Sequence, residues 1–117
     1  MSIDERLLLT DLFGPHQDFE KYAWQPFRDG VEIHRIYGDG NDGPAAALLR
    51  YAAGSCVPAH EHSGLEHIIV LSGSQRDPRG SYRVGSCLMH GPGTTHDITS
   101  DEGCVVLALW ATPVKFV

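Results

Sequence analysis

The sequence predicts an all-β fold, a sandwich or barrel of short strands. Two observations carry that expectation. From Val31 onward, strand-like runs alternate with turn clusters at close spacing, a pattern of sandwiches and barrels rather than βαβ units. The chain also places 13 glycines and 7 prolines among only 117 residues, as a protein with many reversals does. That length suits one compact domain with its own core and is short for two.

Residues 1–30 are the least regular part and are expected to pack, as an irregular N-terminal segment, on a barrel formed by 31–117. Residues 4–13 suit a short helix or an edge strand, and Gly14-Pro15 ends it. Trp24-Gln25-Pro26-Phe27 is apolar but aperiodic, and is expected to lie across the outside of the β-structure with its aromatics over an open end. Strand-like runs follow at 31–37, 45–52, 55–62, 66–71, 81–83, 85–90, 96–100 and 104–111. Between them stand 38–44, Gly54, Ser63-Gly64, 77–80, 91–93 and 101–103, each with Gly or Pro where a tight reversal needs it. Ala45-Ala46-Ala47-Leu48-Leu49 alone has helical propensity, but the Pro44 start and the short distance between glycines favour a strand. The last run is apolar on both faces and therefore covered on both sides. Ile69 and Leu71, out of phase with Glu66, extend that second apolar face. A homodimer is the expectation, with burial under the N-terminal segment as the alternative.

Residues 54–73 carry the chemistry. Successive side chains of a strand point to opposite faces, so His60 and His62 share one face about 6.5–7 Å apart at the backbone. Their nitrogens can converge on one ion at about 2.0–2.2 Å. Ser63-Gly64 is turn chemistry and Ile68-Ile69-Val70 strand chemistry, so Glu66 can return on the adjoining strand and face both histidines. Ions take three or four protein donors, and the best further candidate is His96, which opens a strand after the Gly91-Pro92-Gly93 turn.

Nine basic against 15 acidic residues give a net charge of −6 without any Lys/Arg cluster, which argues against a nucleic-acid partner. The N-terminus has acids where a signal peptide has bases, and no apolar run approaches the ~18 residues of a membrane span. Cys56, Cys87 and Cys104 are odd in number, widely separated and without a CxxC pair. They predict a reduced, cytoplasmic protein with cysteines used as small core hydrophobes rather than disulfides.

The residues resemble the cupin superfamily. Its first motif, G-x5-HxH-x3-E-x6-G, fits Gly54, His60, His62, Glu66 and Gly73 at every spacing. Its second, G-x5-PxG-x2-H-x3-N, fits Gly85, Gly93 and His96, with Gly91 at the proline position and Ser100 at the asparagine position. Within cupins the chain is most similar to the ChrR-type cupin domain and its standalone relatives. That likeness rests on Leu49-Arg50-Tyr51-Ala52-Ala53-Gly54, on Gly73 through Tyr82, on Pro92-Gly93-Thr94-Thr95-His96 and on Glu102-Gly103-Cys104, and covers about 24–111. The resemblance implies a double-stranded β-helix, or jelly-roll barrel, with one divalent ion held by His60, His62, Glu66 and His96. Anti-sigma activity belongs in that family to a separate N-terminal helical zinc domain, and the residues before Trp24 are too few to build one.

Phase also predicts pocket walls: Ile68 and Val70 with Glu66, Ile98 with His96, and Pro58 with His60. Arg50 lies in an apolar run where burial requires an anionic partner, and is a further pocket candidate. His90 can enter as an acid/base group; His67 points away, and His16 and His34 have a structural role. Three imidazoles and a carboxylate suit Zn, Fe, Mn or Ni and leave an octahedral ion two open positions. The expected function is a small metalloenzyme, with dioxygenase-like or Lewis-acid chemistry, acting on a small oxygenated ligand. The alternative is a non-catalytic zinc-binding sensor.

Overall fold

The computed structural model describes residues 6–39, 41–112 and 114–116. Residues 1–5, with the acids that open the N-terminal run, lie outside it, as do Gly40 of the 38–44 turn, Pro113 and Val117. Ten strands form among the described residues: β1 (Gln25–Arg28), β2 (Val31–Tyr37), β3 (Ala45–Tyr51), β4 (Ser55–His62), β5 (Glu66–Asp77), β6 (Gly80–Arg83), β7 (Cys87–His90), β8 (Thr95–Ser100), β9 (Cys104–Trp110) and β10 (Val114–Phe116). They run in the order β1-β2-β3-β9-β5-β8-β4-β10, with β6 and β7 also on β5. The ladders are antiparallel, and together they make the curled all-β barrel that the sequence predicts. No described helix is long and apolar enough to cross a membrane.

β5 belongs to both halves of the barrel. Its first half pairs with β7 through Glu66↔His90 and with β9 through Glu66↔Trp110. Its second half leaves that sheet, pairing with β6 from Ser74 to Asp77 and meeting β8 at Arg76↔Thr99. A bulge between Val70 and Ser72 makes the bend, and Gly73 completes it at φ 71°. A side chain at Gly73 is excluded twice, by that positive φ and by the Gly103 carbonyl oxygen that a Cβ would strike. The sequence ended this strand at Leu71 because Ser72-Gly73-Ser74 lacks apolar alternation. It continues to Asp77 because the backbone changes partners rather than stopping.

Side-chain alternation sorts the interior into two layers. Val31, Ile33, Leu49, Tyr51, Val57, Ile68, Val70, Ile98, Val106 and Ala108 fill the barrel. On the other face of β3, β5 and β9, Leu48, Leu71 and Val105 form a second layer. Burial of such side chains contributes about 1.5–3 kcal/mol each, so both faces of this sheet stabilise the fold. The second layer lies under Leu9, Leu12, Phe19, Tyr22 and Trp24. The N-terminal segment thus supplies cover that the homodimer expectation assigned to a second subunit.

That segment is pinned rather than regular. Residues 6–13 form neither the helix nor the edge strand expected of them. Gln17 explains how such a chain stays on the sheet: its side-chain amide donates to the carbonyls of Leu12 and Leu71, both at 2.7 Å. The Trp24 indole likewise donates to Phe19 O at 2.8 Å. The expectation of three core cysteines needs correction, since Cys104 is buried but Cys56 and Cys87 are exposed.

Candidate metal centre

β4 supplies two histidines to the barrel interior, with a register that strict alternation does not give. A bulge falls between Val57 and His60, so both of these point inward while Pro58 and Ala59 are exposed. Pro58 is therefore not a pocket wall; the extra residue cancels the parity that placed it beside His60. Proline cannot donate to a ladder, and a bulge is where a strand tolerates it. Its carbonyl takes a different role, lying 3.1 Å from His60 Nδ1. Across the ladder His60 faces His96 on β8 directly. Glu66 enters at the start of β5, between Trp110 and His90 on the strands to either side.

His60, His62, Glu66 and His96 each bring one ligand atom, and these four atoms lie within 4.8 Å of one another. The centroid of the His96 ring is 4.7 Å from that of His60 and 4.8 Å from that of His62. His62 is fully buried, and His60 and Glu66 are nearly so.

The hydrogen-bond pattern assigns the protons. His62 Nδ1 lies 3.1 Å from Thr94 O and 2.9 Å from Thr94 Oγ1. The carbonyl only accepts, and the hydroxyl proton is engaged with Gly91 O at 2.7 Å, so Nδ1 carries the hydrogen. In the neutral ring the lone pair of His62 is then on Nε2, 2.9 Å from Glu66 Oε1. That separation is hydrogen-bond length, but the direction is wrong for one, and Nε2 is left as a buried nitrogen without a hydrogen-bond partner. Two acceptors facing each other at this distance fit a cation between them. The same argument puts the hydrogen of His60 on Nδ1, toward Pro58 O.

Electrostatics agree with a neutral-imidazole, ionised-carboxylate site. Burial pushes the Glu66 carboxyl up, while the His90 contact and the Trp110 indole N–H, which donates to Oε2 at 2.6 Å, favour its ionised form. Burial, and then the neighbouring imidazoles, push His96 down to about 4. Burial also lowers His60. These histidines accordingly present lone pairs, not charge, at neutral pH.

Beside the cluster lies a cavity of about 50 Å³, walled by Leu49, Tyr51, Val57, Ile68, Ile98 and Trp110. His60, Glu66, His90 and His96 also face it, so the donors stand at the edge of an apolar space. Ile68 and Ile98 are where strand phase puts them. Val70 shares the phase but sits deeper, fully buried in the barrel core and not on the cavity. Arg50 is on the opposite face of β3, where it binds Glu32 and Glu20, both at 2.8 Å, and stacks on Trp24 at 4.5 Å from the ring centroid. It does not line this cavity, because the alternation that turns Leu49 and Tyr51 inward turns Arg50 out.

His90 does reach the site: its Nδ1 lies 3.2 Å from Glu66 Oε1 and its ring stacks on His62 at 4.6 Å. His67, with the opposite phase, is half-buried away from the cavity, and His34 hydrogen-bonds Ala23 O at 3.1 Å. Sequence reasoning missed Tyr51, Trp110, Gln75 and Phe27, which also face the cavity. The first two had a usable signal, since they share strand phase with Leu49 and Ala108, both in the barrel core. Phe27 and Gln75 had none, because their placement depends on β1 and on the bend in β5.

A curled antiparallel barrel with a His/Glu cluster facing an apolar interior defines the cupin class, whose solved members share this fold. Residues 15–112 match the ChrR Cupin-like domain, and the chain belongs to that family. It is 30% identical over 110 residues to the anti-sigma-E factor ChrR of Cereibacter sphaeroides, over 92% of this chain and 50% of that protein. The chain thus spans about half the length of this curated relative. Rhodobacter sphaeroides ChrR, solved in complex with SigE, superposes with a TM-score of 0.71 at 27% identity, over 80% of this chain and 52% of that one. An acetylacetone dioxygenase from Acinetobacter johnsonii shares the fold, with a TM-score of 0.73 at 15% identity over 100% of this chain and 85% of that one.

Proposed function

We propose that this cupin holds one divalent ion through His60, His62, Glu66 and His96, and works as a small metalloenzyme on a small oxygenated substrate. One observation carries the reading: the His62 Nε2 lone pair and the Glu66 carboxylate face each other at 2.9 Å at the edge of an apolar cavity. A divalent ion there supplies Lewis acidity and open positions for an oxygen donor. The chain's own residues do the rest. Thr94 and Pro58 fix the ring orientations of His62 and His60. Leu49, Val57, Ile68 and Ile98 exclude water and limit the substrate to a few non-hydrogen atoms. His90, beside Glu66 and on the cavity, holds a proton within reach of a bound ligand. The likeness to the acetylacetone dioxygenase supports oxygen chemistry as one form of this activity.

A second reading has its own support. The 30% identity to ChrR favours a zinc-bound regulatory cupin that senses a small molecule or an oxidant and signals through a partner protein. Both readings suit a cytoplasmic protein, and the dimer expected from sequence is checked by sedimentation.

Metal analysis and spin resonance on protein purified without oxygen, repeated with nitric oxide, separate the two. The enzyme reading expects a redox-active ion and a nitrosyl signal perturbed by small diketones. Tight stoichiometric zinc without exchangeable water would falsify the dioxygenase form and leave the sensor.

A further inference from the structure

His96 has two ring nitrogens, and the four-donor cluster uses only one. Its Nδ1 is buried without a hydrogen-bond partner and lies 3.6 Å from Oδ2 of Asp77, at the far end of β5. That separation is too long for a hydrogen bond. It is close to the spacing of two donors around one ion, given metal–ligand distances of about 2.0–2.2 Å. The side chains are well enclosed, Asp77 at 3% and His96 at 9% exposed.

Asp77 is built into position. Its Oδ1 accepts the Tyr82 hydroxyl and the Arg79 backbone N–H, both at 2.8 Å, which leaves Oδ2 for His96. His90 completes the group: with Nδ1 on Glu66, its other nitrogen is available, and its ring centroid is 4.1 Å from that of His96. One ligand atom from each of Asp77, His90 and His96 lies within 4.8 Å of the other two. These three residues border a separate cavity of about 90 Å³, shared with Arg79, Thr94 and Thr95.

We infer that Asp77, His90 and His96 form a second divalent-cation site, adjoining the first through the His96 ring. Two imidazoles and one carboxylate select a borderline ion such as Zn²⁺, Co²⁺, Fe²⁺ or Ni²⁺ over Mg²⁺ or Ca²⁺. Three protein donors leave positions open to water or a ligand in that cavity. With both positions filled, His96 serves one ion from each nitrogen, and its proton is lost to solvent as the second ion binds.

The inference goes beyond the proposed four-donor site and fails separately from it. The metal-free chain is titrated with Co²⁺, followed by its visible absorption, alongside Asp77→Asn and His60→Ala, each checked for folding by circular dichroism. Two equivalents are expected for the unaltered chain and one for each variant. A single equivalent that Asp77→Asn keeps and His60→Ala loses overturns the second site and leaves the first. A single equivalent that Asp77→Asn loses and His60→Ala keeps supports the second site and removes the first. Two equivalents in Asp77→Asn overturn the inference outright.

Discussion

The two faces of β3, β5 and β9 contain buried or half-buried charge, and they resolve it differently. On the outer face Arg50 is complete: two carboxylates accept its hydrogens and an indole covers its plane. On the inner face Glu66 and the histidines are gathered just as closely, yet His62 Nε2 and His96 Nδ1 are left without hydrogen bonds. Buried polar groups are normally satisfied, and leaving one unpaired costs about 1–3 kcal/mol. The outer face is therefore a finished structural surface, whereas the inner face leaves ligand atoms that could hold an ion.

The largest test of this contrast is His62→Ala. It is expected to remove one equivalent of metal, measured by elemental analysis after dialysis, while circular dichroism still reports a folded β-domain. Metal content equal to that of the unaltered chain would end the comparison. The converse is Leu48→Ala on the outer face, which removes a fully buried side chain. Thermal or urea unfolding should lose about 2–5 kcal/mol with metal content unchanged.

A smaller effect comes from pH. The folded metal-free protein holds His96 at about 4 instead of 6.5, so the unfolded chain takes up its proton first. Stability of the apo form should fall as pH drops from about 6.5 toward about 4, and the metal-bound form should resist over the upper part of that range. A flat melting temperature across the window in the apo form would contradict the His96 environment. The smallest effect belongs to Arg50→Met: half-exposed ion pairs are worth about 0–1 kcal/mol, and neither metal content nor cavity ligands should respond. A change in metal binding would return Arg50 to the pocket.

How legible these faces were depends on the range over which each side chain is placed. The gathering of His60, His62, Glu66 and His96 could be read because parity fixes His60 against His62, and a short turn returns Glu66 to the same interior. Eight strands followed from apolar runs between glycines. Pro58 and Arg50 were misplaced for different reasons. The bulge before His60 leaves no local apolar signal, whereas the outward turn of Arg50 was already implied by the inward Leu49 and Tyr51. Asp77 was unreadable as a site residue, because only the bend at Gly73 carries the far end of β5 back to His96. The short edge strands β1 and β10 pair at the margins of the sheet and have no hydrophobic period of their own.

The two tryptophans fall one on each side of this division. Trp110 donates to the Glu66 carboxylate, whereas Trp24 lies on the outer face against Arg50. The molecule thus carries an optical probe at the proposed ion site and an internal reference away from it. Loading with a paramagnetic ion should quench the emission of Trp110 and leave that of Trp24, so occupancy can be followed by light without any label.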